Sequence, residues 1–319
     1  MITAHPPHPS GEAGPHAGAV WLDLMDPNEE ETRLVESLTG LDLPNKDELR
    51  DIEQSARLSF ENGVLRLTTP IIAQSDTDHP LLSHIGLILT QERLVSIRYE
   101  QLKMFESLAA EYVSEKPPAS STAAFVDLVE AFVARQADLL QEARAKLDAI
   151  SHRVFRTASA DPNQVKRSNA ALRERLQMLG RIGERISMIR ESLLAVDRMI
   201  PFALDACQDW FAGELGKRMK AASADIDALS LFEEHLLGKV QFLLDAVLGF
   251  INIEQNDIFK VLTIASVVGI FPTLVAGWYG MNFQNMPEYH WAYGYQFGIG
   301  VIVVSTILPL LWFKWRGWV

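Results

Sequence analysis

Two long uncharged runs lie near the C-terminal end of the chain. The first covers residues 261–283 and the second covers residues 295–313, and neither contains Asp, Glu, Lys or Arg. A hydrocarbon core of roughly 30 Å needs about 20 helical residues, and a helix satisfies its own backbone hydrogen bonds. The pattern therefore predicts two transmembrane helices, joined by a loop over residues 284–294 and followed by a tail over residues 314–319.

The alternative is that both runs are core helices of a soluble protein. Their length and the aromatic residues at their ends, among them Trp278, Tyr279 and Trp291, disfavour it. Lys260 precedes the first run and Lys314 follows the second, whereas the connecting loop has no Lys or Arg. Positive residues favour the cytoplasmic side, so we expect both chain termini inside and the loop outside.

Short strand and helix signals alternate over residues 19–120 and predict an α/β domain. Residues 21–24, WLDL, read as a strand. A helix is predicted next, with Asp26 as N-cap, Pro27 as its first residue, Glu29 at the capping-box position and its end at Gly40. Two hairpins are predicted, one around Asn62-Gly63 and one around Gln91-Glu92.

Helical periodicity replaces this pattern after residue 120. Apolar residues recur every three or four positions from Ala123, and a second helix opens at Asp161-Pro162 and ends at Pro201. Residues 121–222 are thus predicted to form an antiparallel helical hairpin. A third helix begins near Ser223, and no break occurs before Pro272, so a stalk over residues 223–260 is expected to continue into the first transmembrane helix.

The remaining features are compositional. The first 18 residues are rich in Pro, Gly and His and read as a disordered leader, whose His5, His8 and His16 would hold a metal only loosely. Of 41 acids and 29 bases, the C-terminal 59 residues hold only Glu288, Lys314 and Arg316, so the first 260 residues carry a net charge of −13. This excess of acid disfavours nucleic acid as a partner. With one cysteine, no internal disulfide and no cysteine-based zinc site can form.

Two helices cannot enclose a pore, so conduction would require a symmetric oligomer. From the end of the stalk through the first apolar run, positions at steps of three, four or seven form one helical side that is rich in small or polar residues. The recurring positions are Asn256, Thr263, Ser266, Ile270, Thr273, Gly277 and Gly280. Such a stripe suits either close helix packing or a pore wall, and the residues alone leave both open.

The loop between the two runs contains a distinctive motif. Tyr279 precedes Gly280-Met281-Asn282, and Met286-Pro287-Glu288 follows shortly after. Together with the WLDL opening and NDIFKVLTI at the stalk-to-membrane junction, this motif resembles the CorA family of magnesium channels over nearly the whole chain. The resemblance implies an α+β membrane protein with a cytoplasmic α/β domain, a long helical stalk and two C-terminal transmembrane helices. It also implies a homopentamer with one axial pore in the bacterial inner membrane.

The resemblance also implies site residues. Gly280, Met281 and Asn282 would form a selectivity filter that binds hydrated Mg²⁺, and Glu288 would concentrate cations at the outer mouth. The implied pore-lining positions are Asn256, Leu262, Ser266, Ile270, Thr273 and Gly277. Relatives commonly carry Met near Ile270 and more lysines at the C-terminus than this chain does.

Family members are gated by cytoplasmic Mg²⁺ bound between protomers. The corresponding ligands would be Asp245 and, on the neighbouring α/β domain, Glu106, so that Mg²⁺ is both transported and regulatory, with no organic cofactor. No phosphate-binding GxxxxGK[ST] loop and no Ser-His-Asp constellation indicate an enzyme. The function that the resemblance implies is a passive channel for Mg²⁺ uptake, with Co²⁺ and Ni²⁺ as further cargo. Two alternatives remain, a ZntB-like zinc transporter, which usually has Ile in place of Met281, and a non-conducting membrane-tethered oligomeric sensor.

Overall fold

The structure is a computed structural model, and it describes residues 1–5, 18–50, 58–75, 77, 79–114, 117–157, 168–281 and 286–318. The chain divides into two compact units. The first contains Met1–Asp161 and Arg173–Leu244, and the main part of the second is Asp245–Val319.

A six-stranded sheet forms the core of the first unit. Its strands are β1 (Ile2–His5), β2 (Trp21–Met25), β3 (Leu58–Glu61), β4 (Val64–Ala73), β5 (Leu81–Leu89) and β6 (Leu94–Arg98). They lie in the order β1-β2-β6-β5-β4-β3, and only the β2–β6 pair is parallel among the described strands. The strand predicted over residues 21–24 and both hairpins are confirmed. At the first hairpin turn Asn62 and Gly63 both have positive φ, which matches the twist of the flanking strands.

The prediction of a disordered leader was wrong for its first residues. Ile2–His5 pair antiparallel with Trp21–Leu24, and His5 is 3% exposed with its ring stacked on Trp21. Burial lowers the pKa of His5, which favours the neutral ring. His5 is therefore part of the core rather than of a loose metal site, while His8 and His16 lie outside the described residues.

Helix α1 (Glu29–Thr39) begins two residues later than predicted. Asn28 is its N-cap: the Asn28 side chain accepts from the Glu31 amide, and the Glu31 carboxylate accepts from the Asn28 amide. Asp26 instead has a positive φ of 44°, which is incompatible with the extended backbone of an N-cap. The predicted end was correct, because Gly40 closes the helix in the left-handed conformation.

An ion pair lies inside the sheet domain. Arg98 on β6 donates to both carboxylate oxygens of Asp23 on β2, and Ser96 donates to the same carboxylate. The Arg98 guanidinium also lies 4.8 Å from the ring centre of Phe105 on α2 (Lys103–Ser114). These bonds satisfy charges that would otherwise be costly to bury.

Two long helices, α3 (Ser121–Thr157) and α4 (Ser168–Ala206), occupy most of residues 121–222, the segment predicted as a helical hairpin. The predicted opening at Asp161-Pro162 lies outside the described residues. The predicted end at Pro201 was wrong, because α4 continues to Ala206. A proline inside a helix costs about 3 kcal/mol, but Met199, Ile200 and Ala203 around it are buried, and their packing favours continuation.

Helix α5 (Glu214–Tyr279) confirms that the stalk continues into the first apolar run. It begins nine residues before the predicted Ser223, because Met219 and Ala222 extend its buried face in the N-terminal direction. Helix α6 (Gly294–Trp315) contains the second run. Both are long and apolar enough to cross a membrane, and their most apolar windows are 0% and 6% buried, unlike the core helices of a soluble protein.

Candidate ion pathway

The six expected pore-lining residues share one face of α5. At 3.6 residues per turn, they fall within an arc of about 120° on an ideal helix. They are Asn256, Leu262, Ser266, Ile270, Thr273 and Gly277, and all six are exposed in the single chain. Leu262 is 59% and Ile270 is 54% exposed, so two large apolar side chains lie on a face that nothing within the described chain covers.

A polar side chain on this face forms a hydrogen bond with the backbone of its own helix. The Thr273 hydroxyl donates to the Gly269 carbonyl at 2.8 Å, which leaves its oxygen as an acceptor. Pro272 has no amide hydrogen, so the Val268 carbonyl lacks its usual helical donor, but both residues lie outside the arc of the pore-lining positions. On the pore-lining face, the Thr273 hydroxyl oxygen is an acceptor, the kind of group that interacts with a hydrated cation.

Helix α5 ends just before the motif that the sequence singles out. The amide of Gly280 donates to Ala276 O at 2.9 Å, and the amide of Met281 donates to Trp278 O at 3.3 Å. Gly280 is outside the left-handed region, and a β-carbon there would lie 3.1 Å from Ala276 O. Asn282 lies outside the described residues, so its placement stays a prediction.

Glu288 belongs to a short 3-10 helix, Pro287–His290, that precedes α6. The Glu288 carbonyl accepts from the Trp291 amide at 3.2 Å, and the Trp291 carbonyl accepts from the Gly294 amide at 3.1 Å. Glu288 is half-buried and lines a cavity of about 600 Å³ together with Tyr279 and Gly280. The loop acid is thus held beside the end of the first apolar helix.

Gly294 is a site residue that the sequence reasoning missed. A β-carbon at this position would lie 2.1 Å from the Glu288 carbonyl oxygen, so only glycine allows the 3-10 helix to approach α6 this closely. A glycine directly before the second apolar run was the only available signal. Its meaning depends on a contact that spacing does not reveal.

The two expected regulatory acids belong to different surroundings. Asp245 on α5 is exposed, and on an ideal helix it falls in the same arc of about 120° as the pore-lining positions. Glu106 on α2 lines a cavity of about 200 Å³ whose lining includes Lys103 and Arg135. No group of three or more His, Cys, Asp or Glu side chains suited to a metal occurs within the part of the chain that the structure describes.

An α/β domain, two long helices and a stalk helix that continues into the first of two exposed apolar segments are typical of an integral membrane protein with a large extramembrane domain. The sequence model of the CorA-like Mg²⁺ transporter protein family matches residues 16–315. The chain belongs to this family.

Individual relatives agree with this assignment. The magnesium transport protein CorA of Escherichia coli K12 is 30% identical over 308 residues, which cover 96% of this chain and 94% of that protein. The CorA magnesium transporter from Methanocaldococcus jannaschii has a similar fold, with a TM-score of 0.77 at 17% identity over 94% of this chain and 91% of that one. The ZntB cytoplasmic domain from Vibrio parahaemolyticus has a TM-score of 0.53 at 14% identity over 73% of this chain and 87% of that one.

Proposed function

We propose that the chain is a passive Mg²⁺ uptake channel whose outer mouth selects the hydrated ion. The observation that carries the proposal is the Gly280-Met281-Asn282 motif directly after the first apolar helix, in a chain that belongs to the CorA-like Mg²⁺ transporter family. Co²⁺ and Ni²⁺ are similar in size and charge, and the proposal includes them as further cargo. The metal is the transported substrate, and no organic cofactor takes part.

The channel is proposed to be a homopentamer in the bacterial inner membrane. Two transmembrane helices per chain cannot enclose a pore, so α5 from each of five copies would line a shared axis. The exposed face with Leu262 and Ile270 supports this arrangement, because an apolar face of this kind needs a partner or lipid. Lys260 lies just before the first apolar run and Lys314 just after the second, which favours cytoplasmic termini.

Selection would depend on neutral oxygens. Mg²⁺ releases its water reluctantly, so a ring of five Asn282 amides would bind the ion through its hydration shell. The carbonyl end of α5 carries a partial negative charge, and Glu288 adds a full one nearby. These charges would raise the local concentration of cations without distinguishing among them.

Closure and driving force follow from the same arrangement. Leu262 and Ile270 would form an apolar constriction that closes by excluding water. Entry needs no ATP, because a divalent ion gains about 4.6 kcal/mol on crossing a potential of 100 mV inward.

We further propose that cytoplasmic Mg²⁺ closes the channel by binding between protomers at Asp245. Carboxylates repel one another across an interface, and a bound cation removes that repulsion, so metal binding and the closed state would stabilise each other. Glu106 is proposed as the partner ligand. It is the weaker of the two, since the positive charges of Lys103 and Arg135 in its cavity oppose the binding of a cation.

Ion flux into vesicles that contain the purified chain tests the channel. We expect Mg²⁺ entry that follows the imposed potential, is blocked by cobalt hexammine and is lost in Asn282→Ala. Asn285→Ala, which removes an amide from the same loop, serves as the matched control and should retain flux. Absence of flux would indicate a non-conducting sensor, and Zn²⁺ entry without Mg²⁺ entry would indicate a ZntB-like transporter.

Flux measured at several internal Mg²⁺ concentrations tests the regulation. Asp245→Ala should keep conducting at internal Mg²⁺ concentrations that close the wild type. Asp257→Ala removes an exposed acid from α5 outside the pore-facing arc and should close normally. Normal closure of Asp245→Ala would show that the regulatory site lies elsewhere while leaving the channel proposal intact.

A further inference from the structure

One segment of this acidic chain is basic. Residues 142–191 contain eleven Lys and Arg and six Asp and Glu, a net charge of +5. The rest of the chain therefore carries −17, which gives the overall −12. Such a local reversal of charge creates a positive potential that attracts anions, although the transported ion is a cation.

A cavity of about 340 Å³ lies between α3 and α4 in this segment. Four cationic side chains line it, Lys146 and Arg153 from α3 and Arg181 and Arg185 from α4. Among the described residues that line the cavity, Glu184 carries the single negative charge. The lining therefore has a net charge of +3, with the positive groups on both sides of the cavity.

The four cations are not equivalent. Arg185 is fixed, because its Nη2 donates to the Thr77 carbonyl at 2.9 Å and its Nη1 lies 3.9 Å from Glu142 Oε2. Within the described part of the chain, Lys146 and Arg181 make no hydrogen bond or ion pair. These two side chains are available to bind an external anion.

The remaining lining is apolar. Ile150 and Ile182 are buried, and Met178 lies on the same side of α4 as Ile182 and Arg181. The cavity volume is at the lower end of the range of about 300–1,000 Å³ that is typical of small-molecule sites. An inorganic anion would leave this apolar surface unused, whereas a ligand with both an anionic group and a ring system would contact both parts.

We propose that this cavity binds a soluble organic phosphate of the nucleoside polyphosphate class. Arg181 and Lys146 would pair with the phosphate oxygens, since a guanidinium matches two phosphate oxygens and an ammonium acts as a point charge. The ring system would lie against Ile150, Met178 and Ile182. A ligand bound in this cavity would contact both α3 and α4. The proposal of a phosphate site does not rest on the proposed transport activity.

Binding of ATP to the full chain in neutral-lipid nanodiscs tests the site, with the free Mg²⁺ concentration held constant. We expect saturable binding by calorimetry that weakens as salt is added. Arg181→Gln and Lys146→Gln should each weaken binding about tenfold, the usual scale for a charge-assisted hydrogen bond. Tripolyphosphate should compete, and adenosine alone should bind much more weakly.

The matched control is Arg173→Gln, which removes an exposed positive charge from the same helix outside the cavity. It should bind ATP within about twofold of the wild type. Equal weakening by Arg173→Gln would show diffuse attraction rather than a site and would overturn the proposal. Absence of saturable ATP binding would also overturn the proposal. Saturable binding of short-chain phosphatidylglycerol without binding of ATP would overturn it too, because the ligand would then be a lipid headgroup.

Discussion

The carbonyl oxygen of Glu288 lies 2.1 Å from the point where a β-carbon at Gly294 would stand. The glycine thus lets the 3-10 helix that carries the loop acid pack against the start of α6. The two residues are six positions apart, and the backbone hydrogen bonds of Trp291 connect them. The close approach of Glu288 to the start of α6 therefore depends on the absence of a side chain at Gly294.

Gly294→Ala should displace this 3-10 helix and reduce Mg²⁺ flux. Forcing a methyl group into a packed position typically costs about 1–3 kcal/mol, so we expect a flux several-fold below that of the wild type. The measurement is Mg²⁺ uptake into vesicles at equal protein content. Gly298→Ala is the matched control, because a β-carbon there meets nothing within 4 Å. Equal flux in both variants would show that the contact does not position the mouth.

Ile270→Ser should weaken the closed state of the channel. A hydroxyl at an apolar constriction stabilises water there, so we expect residual Mg²⁺ flux at internal Mg²⁺ concentrations that close the wild type. Val261→Ser introduces the same group on the opposite side of α5, where Val261 is 67% exposed, and should close as the wild type does. Leak through both variants, or through neither, would contradict a constriction at Ile270.

Glu233→Gln should raise the melting temperature at pH 8. Glu233 is 2% exposed, its Oε1 has no hydrogen-bond partner within the described chain, and Arg190 lies 3.9 Å from its Oε2. Burial raises the pKa of Glu233 despite the opposing charge of Arg190. An acid whose folded pKa is raised destabilises the protein above that pKa, and the penalty disappears as the pH falls through it.

We therefore expect a gain of about 2 °C at pH 8 that shrinks towards pH 4. The exposed neighbour provides the control, since Glu234→Gln should change the melting temperature little at either pH. A lower melting temperature for Glu233→Gln at pH 8 would mean that the ion pair with Arg190 outweighs the cost of burial.

Asn28→Ala should loosen the start of α1. Loss of an N-cap side chain costs about 1 kcal/mol, equivalent to roughly fivefold faster exchange of the amides that depend on it. Hydrogen exchange at Glu31 and Thr32 measures this change. Asp26→Gly should leave the same amides protected, because glycine accepts the positive φ of 44° at that position. Faster amide exchange in Asp26→Gly but not in Asn28→Ala would show that Asp26, and not Asn28, is the N-cap.

Much of the fold follows from local patterns. The turn at Asn62-Gly63 and the end of α1 at Gly40 are each decided by a few neighbouring residues, and the structure has them as predicted. The two apolar runs are helical as well, but α5 ends at Tyr279 rather than at the predicted residue 283. The unbroken course of α5 from the stalk into the apolar run is also decided locally, because no proline interrupts it before Pro272, which lies within the apolar run.

Two of the errors arose where a distant contact outweighs a local signal. Residues Ile2–His5 are too few to indicate a strand from sequence alone, and they form one only because they pair with β2. The burial of Met199 and Ala203 favours the continuation of α4 beyond Pro201. The filter residue Asn282 came from the sequence motif and stays a prediction. Asp245 and Glu106 likewise remain proposals.

The sequence by itself determined which segments are apolar and long enough to cross a membrane, that a long helix leads into the first of them and which family the chain resembles. These properties depend on the free energy of transfer of consecutive side chains and on short motifs, both of which are local. Only the tertiary structure decided that Glu288 packs against Gly294, that Glu233 is buried and that Lys146 and Arg181 face one cavity. The contact of Glu288 with Gly294 depends on the backbone path of the short turn between them. The burial of Glu233 and the cavity at Lys146 and Arg181 depend on the approach of helices that are distant in sequence, and spacing along the chain does not contain that distance.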